Sequence, residues 1–214
     1  MSVTTGWGSE TVEVRLLTAL TLAAFLVASS RAESNSVSFE DANQELPLSV
    51  AVDGVELRLF STAILRVGLV FKVYGAALYL PEDRRVERVL DSDVARRLVV
   101  YYLHDTPRER MIDTAEATLR KNLSEAAYKS IEERLKILHA AVSDRKSGDR
   151  SSLTYLPGRG LRFAVNDVVQ CTIEGADFAA AYFGVWLGEQ PSSRRVKRQL
   201  FTSWRGEDSA SSLE

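Results

Sequence analysis

The run Arg66–Pro81, R-V-G-L-V-F-K-V-Y-G-A-A-L-Y-L-P, decides how the chain folds. Val70, Phe71, Val73, Tyr74, Leu78, Tyr79 and Leu80 are the β-branched, aromatic and large aliphatic residues of a strand buried on both faces. Gly75, Ala76 and Ala77 leave room where a sheet normally fills its face, so something else approaches the backbone there. A ligand floor is one reading of that gap. A helix packed tightly over small residues is the other.

Working outward, Leu48–Val52 and Val55–Leu59 alternate around Asp53-Gly54, a pair that accepts positive φ at both turn positions and so predicts a hairpin. Residues 61–68 are ambiguous, 69–80 read as the strand above, and Pro81–Leu90 as a short surface helix. Arg97–Leu103 reads as a further strand. Thr106-Pro107-Arg108-Glu109 offers a hydroxyl N-cap, proline at the first helical position and glutamate at the third, a capping box. Leu119, Leu123, Ala127, Ile131, Leu135, Leu138 and Val142 then recur at helical steps, with a break into two helices near Asn122–Ser124. After the polar loop 144–151, strands are predicted at 153–156, 161–165 and 168–173, separated by Pro157-Gly-Arg-Gly160 and Asn166-Asp167. Asp177 caps an apolar helix that Gly188 ends, and a basic helix runs from about Pro191 to Trp204. Strands, helices, strands and helices in succession describe an α+β domain.

Composition narrows the function classes. The 214 residues are 45% hydrophobic and 26% charged with net charge -2, so one globular domain is expected and no global field favours nucleic acid. Cys171 is the single cysteine, and with His104 and His139 alone to help it a metal site is not expected. Leu16–Val27 is an apolar run of twelve residues, about 18 Å of helix, too short for a hydrocarbon core of about 30 Å. Ser30 and Ala32 suit signal-peptidase cleavage, so residues 1–32 read as a signal peptide with Glu33 as the new N-terminus. The protein is then periplasmic or secreted, touching membrane only through that segment. The leading segment carries Arg15 against Glu10 and Glu13, which leaves two alternatives: a start nearer Val12 or Val14, or an uncleaved anchor. Residues 33–45 read as a flexible lead-in, 46–206 as the domain, and 207–214 as a disordered tail.

Three segments together resemble bacterial chalcone isomerase-like proteins. Phe71–Pro81 is similar to their signature strand, Tyr155–Gly160 with the strands to Gly175 to their hairpin region, and Phe178–Pro191, with Gly184-Val-Trp-Leu-Gly188, to their C-terminal helix. The resemblance covers Leu46–Trp204 and implies an open-faced β-sandwich, a large antiparallel sheet with helices over one face. Plant isomerases of this family use an arginine before the signature strand, a threonine within it, and a tyrosine and asparagine seven apart on the first helix. Arg66 matches the arginine and Tyr74 stands at the threonine position. No Tyr/Asn pair follows Leu103, because Arg110 is followed seven later by Ala117 and Met111 by Thr118. The glycines before the arginine are also missing.

What the resemblance leaves is a non-catalytic binder of a small apolar or amphipathic carboxylate such as a fatty acid, held by Arg66 and Tyr74 with no cofactor. A guanidinium forks onto a carboxylate while a phenol donates a further hydrogen bond. Residues 66 and 74 share parity, but eight residues of straight strand span about 26 Å, so convergence requires a turn near Gly68. Two rival functions stand beside this one. One is an isomerase or lyase in which Arg66 polarises a carbonyl and Tyr74 acts as acid. The other is an interaction module docking through Arg194-Arg195-Val196-Lys197-Arg198, although a solvated helix face is the preferred reading of that run. Lys72 reads as a snorkelling surface lysine, one of Tyr101 and Tyr102 as core, and Cys171 as a small buried hydrophobe.

Overall fold

The computed structural model describes residues 36–68, 70–82, 89–90 and 93–202. The expected signal peptide and its cleavage point, the expected tail 207–214 and most of the surface helix expected over 81–90 lie outside the described residues. Six strands come first: β1 (Ser36–Phe39), β2 (Gln44–Pro47), β3 (Ser49–Val52), β4 (Val55–Val67), β5 (Phe71–Leu80) and β6 (Arg96–Tyr102). Helices α1 (Arg108–Asn122) and α2 (Glu125–Ala141) follow, then β7 (Arg150–Leu156), β8 (Gly160–Val165) and β9 (Val168–Ile173). Helices α3 (Ala176–Leu187) and α4 (Arg194–Leu200) close the described chain.

Strands β3 to β9 form a seven-stranded sheet in chain order, and every neighbouring pair is antiparallel. The ambiguous stretch 61–68 continues β4, so the β4–β5 hairpin is the longest pairing of the sheet. Asp53 and Gly54, and likewise Asn166 and Asp167, all take positive φ, the geometry that tight hairpins require.

Period-two alternation sends Ala76, Leu78 and Leu80 of β5 to the helix side, where Leu98, Leu153, Leu161 and Phe163 join them. Phe178, Phe183 and Val185 of α3 and Leu119 of α1 close that core from above. The opposite face collects Leu57, Ala77, Tyr79, Val99 and Tyr101. That face is not left open. Residues 33–45 read as a flexible lead-in, yet from Ser36 onward the chain is folded: β1 and β2 pair as a ribbon around a 3-10 turn, Glu40–Ala42. Leu46 is fully buried against the second face, with Val37 and Phe39 beside it. The ribbon's alternation of Val37 and Phe39 with serines is too short to stand out from its polar surroundings.

Two helix caps also differ from the sequence reading. Helix α1 begins one residue later than the capping box implies, with Pro107 at the N-cap and no side-chain cap bond. Thr106 Oγ1 donates to the His104 carbonyl instead, and Asp144 Oδ1, from beyond α2, accepts from Arg108 N. In α3 the cap is Gly175, and Asp177 in the first turn accepts two hydrogen bonds from Arg134. Ser124 caps α2 by accepting from Ala127 N at 3.2 Å.

His139 on α2 is buried, with Nδ1 3.4 Å from Glu116 and Nε2 unpartnered. Burial holds its pKa below the ordinary 6.5; Glu116 pulls the other way and Arg108 adds to the lowering. The unfolded chain therefore binds the proton more tightly, and stability falls as pH drops below 6.5 toward the folded value. Urea unfolding at pH 7 and pH 5 should show this loss, with a slope of at most about 1.4 kcal/mol per pH unit from this group. His139→Gln should flatten the profile. An unchanged slope in the variant would show that the histidine is not responsible.

Candidate functional site

The long β4–β5 hairpin positions the first candidate residues. Leu65 pairs with Tyr74 and Arg66 with Lys72, which leaves Val73 unpaired as a bulge. The turn expected near Gly68 is present, with φ +62. Beyond the bulge, however, face parity reverses. Leu65, Val73 and Tyr74 face the helices, whereas Arg66 and Lys72 both bind Asp41 Oδ1 at 2.8 Å on the ribbon side. These two cations hold the Asp41 carboxyl below its ordinary range, Lys72 more strongly than Arg66. Arg66 and Tyr74 therefore do not converge. The same bulge puts Lys72 on the face opposite Tyr74, although the two positions share parity.

The gap at Gly75 also receives a different occupant. A Cβ there would stand 2.7 Å from Phe39 Cε1 and 2.8 Å from the Ala42 Cβ. What approaches the backbone is the chain's own N-terminal ribbon rather than a ligand.

The cavity lies on the other face, between the sheet and helices α1 and α3. It has a volume of about 200 Å³. Leu65, Leu98, Val100, Leu153 and Phe163 form its floor, and Met111, Ala115, Val185 and Trp186 its roof. Exposed Arg110 on α1 also borders it. The alternation along β6 explains the floor: residues 98, 100 and 102 point in, while Val99 and Tyr101 point to the ribbon side. Tyr101 and Tyr102 thus both enter cores, on opposite faces.

Polar atoms enter this apolar space at a few points. Burial drives the Tyr74 phenol well above the ordinary tyrosine range, and hydrogen bonding from Trp186 offsets the rise only in part. Tyr182 on α3 is pushed up by burial in the same way. Burial raises Tyr102 too, against the opposing influence of the Ser151 hydroxyl. All three phenols stay protonated and so keep an O–H that can donate a hydrogen bond.

Arg145, in the loop after α2, also lines the cavity and is only 2% exposed. Nothing in the sequence marks it: one arginine between Asp144 and Lys146 in a polar loop reads as surface. Its burial comes from the pairing of Thr106 with Arg145, which draws that loop onto the end of the sheet beside β6.

The remaining candidates are accounted for by packing. His104 is exposed and stacks on Phe71 with ring centroids 4.3 Å apart. Cys171 is half-buried against the helix-side core, and burial raises its thiol pKa. In α4, Val196 and Leu200 are buried. Ser61 Oγ donates to the Leu200 carbonyl at 2.7 Å, and Lys197 Nζ donates to the Gly188 carbonyl at 2.8 Å. Of the basic run, Lys197 ties α4 to the end of α3, while Arg194, Arg195 and Arg198 are exposed. Among the described residues no group of metal-binding side chains occurs and no helix is long and apolar enough to cross a membrane.

Comparison with known proteins agrees with this architecture. The crystal structure of a fatty-acid binding protein from Arabidopsis thaliana superposes with a TM-score of 0.61 at 13% identity, covering 78% of this chain and 95% of that one. At that identity the likeness establishes the fold. No curated protein sequence matches the chain. A sequence model described as chalcone isomerase-like matches residues 38–202, well over half the chain. The protein belongs to the chalcone isomerase-like family.

Proposed function

We propose that the chain binds one small amphipathic carboxylate, of the fatty-acid kind, in the cavity beneath α1 and α3, and does so without catalysis. The observation that carries this reading is the cavity itself, apolar on floor and roof with a few buried donors. Among the described residues, its lining carries no aspartate, glutamate, histidine, lysine or cysteine, side chains that commonly shuttle protons in catalysis. Arg66, which would polarise a carbonyl in the isomerase reading, is engaged with Asp41 on the far face. The Arabidopsis protein of the same fold is named for fatty-acid binding, which supports the choice of ligand class. At about 200 Å³ the cavity lies below the usual ligand-pocket range of about 300–1,000 Å³, which favours a short or medium chain.

Native mass spectrometry of protein purified from its own host should show a copurifying fatty acid. Dodecanoate should raise the melting temperature of lipid-stripped protein. At 100 times Kd a ligand adds about 2.7 kcal/mol, worth about 5–10 °C for a domain of this size. Ala115→Phe places a ring in the cavity from α1 and should abolish the rise, at an overpacking cost of about 1–3 kcal/mol. An empty spectrum together with no thermal shift in the unaltered protein would sink the carrier reading.

A further inference from the structure

Among the described residues, every hydrogen bond that Arg145 donates goes to a neutral oxygen. Nε donates to Ser151 Oγ at 3.0 Å, and Nη1 donates to the Ser143 carbonyl at 2.8 Å, Ser143 Oγ at 2.9 Å and the Asp144 carbonyl at 3.0 Å. Nη2 is buried and has no hydrogen-bond partner. The ring of Phe163 lies 5.8 Å from the guanidinium carbon, near the limit of cation–π attraction. Among the described residues no carboxylate forms an ion pair with Arg145, whereas Arg66, Arg97, Arg134 and Arg150 each face an aspartate. Asp149 feels the Arg145 charge without forming an ion pair with it, so the buried, charged guanidinium keeps an open donor, which is unfavourable unless something completes it. The open nitrogen belongs to a side chain that lines an apolar cavity.

We propose that Arg145 anchors the anionic head of the cavity's ligand, with a single carboxylate accepting from Nη2 while the tail lies against the apolar floor. This rests on the ligand reading above and replaces Arg66 as the cation that selects an acid. These four donor contacts already fix the guanidinium plane, so the remaining edge is rigid before the ligand arrives. One open nitrogen matches one carboxylate better than a phosphate dianion, whose second charge would stay uncompensated among aliphatic side chains.

The test compares dodecanoate with dodecan-1-ol by calorimetry in the unaltered protein, in Arg145→Gln and in Arg110→Gln. The unaltered protein should prefer the acid, and Arg145→Gln should weaken acid binding about 10- to 100-fold while leaving the alcohol unchanged. Arg110→Gln, at an exposed position bordering the cavity, should retain the preference. Equal binding of acid and alcohol by the unaltered protein overturns the anchor but not the carrier. So does a preference lost in Arg110→Gln and kept in Arg145→Gln. Binding of neither molecule overturns the carrier reading and the anchor with it.

Arg145 also ties its own loop together, so Arg145→Gln can fail to fold. Carbon NMR of carboxyl-labelled dodecanoate bound to the unaltered protein decides in that case. Beside Arg145 the bound carboxyl should titrate below the free acid, and a carboxyl that titrates above it overturns the proposal.

Discussion

Gly75→Val is expected to cost about 3 kcal/mol of stability, a melting-temperature loss of about 6–12 °C, although valine is the better strand former. The propensity gain is worth at most about 1 kcal/mol. Against it stands a Cβ forced to 2.7 Å from Phe39 Cε1, 3.3 Å from Phe39 Cζ and 2.8 Å from the Ala42 Cβ. Phe39 can swing, but Ala42 is fixed to the 3-10 turn, so relief requires the ribbon to lift. Lifting it exposes Leu46 and uncovers Leu57, Tyr79 and Val99. The clash therefore wins. A double-mutant cycle checks the cause: in a Phe39→Ala background the Gly75→Val penalty should shrink by about 1 kcal/mol or more. An equal penalty in both backgrounds would place the strain elsewhere in the sheet.

That same glycine shows how far the sequence could be read. The strand character of 71–80 is visible in its side chains, and the hairpins at Asp53-Gly54 and Asn166-Asp167 in residues that tolerate positive φ. These are local properties. The occupant of the Gly75 gap is not, because Phe39 and Ala42 arrive from a polar stretch whose apolar alternation is only two residues long. Tyr74 was legible as a cavity residue, since the resemblance marks its position. Arg66 was misplaced because a period of two carries no sign of the bulge at Val73, and one extra residue flips every side chain beyond it. Arg145 was invisible for a deeper reason. Its interest lies in a buried donor that, among the described residues, finds no hydrogen-bond acceptor, and that is a property of three dimensions.

The Pro157-Gly-Arg-Gly160 turn can be separated into its two glycines by experiment. Both take positive φ, +72 at Gly158 and +85 at Gly160. A Cβ at Gly158 meets nothing within 4 Å, so Gly158→Ala should cost only the conformational penalty of about 1–2 kcal/mol. At Gly160 the Cβ would stand 2.3 Å from the Ile173 carbonyl oxygen, 2.9 Å from its carbon and 3.0 Å from Glu174 Cα. All of these atoms are backbone, and Ile173 pairs with Leu161 in the ladder, so no side-chain rotation relieves the contact. Gly160→Ala should therefore cost about 3–4 kcal/mol, close to the limit seen for single substitutions. Relief can come only by parting β8 from β9, which shifts Phe163 on the cavity floor and should weaken dodecanoate binding as well. Denaturant midpoints of the two variants decide the matter. Equal losses at both positions would mean that positive φ alone, and not the approach of β9, makes glycine necessary at 160.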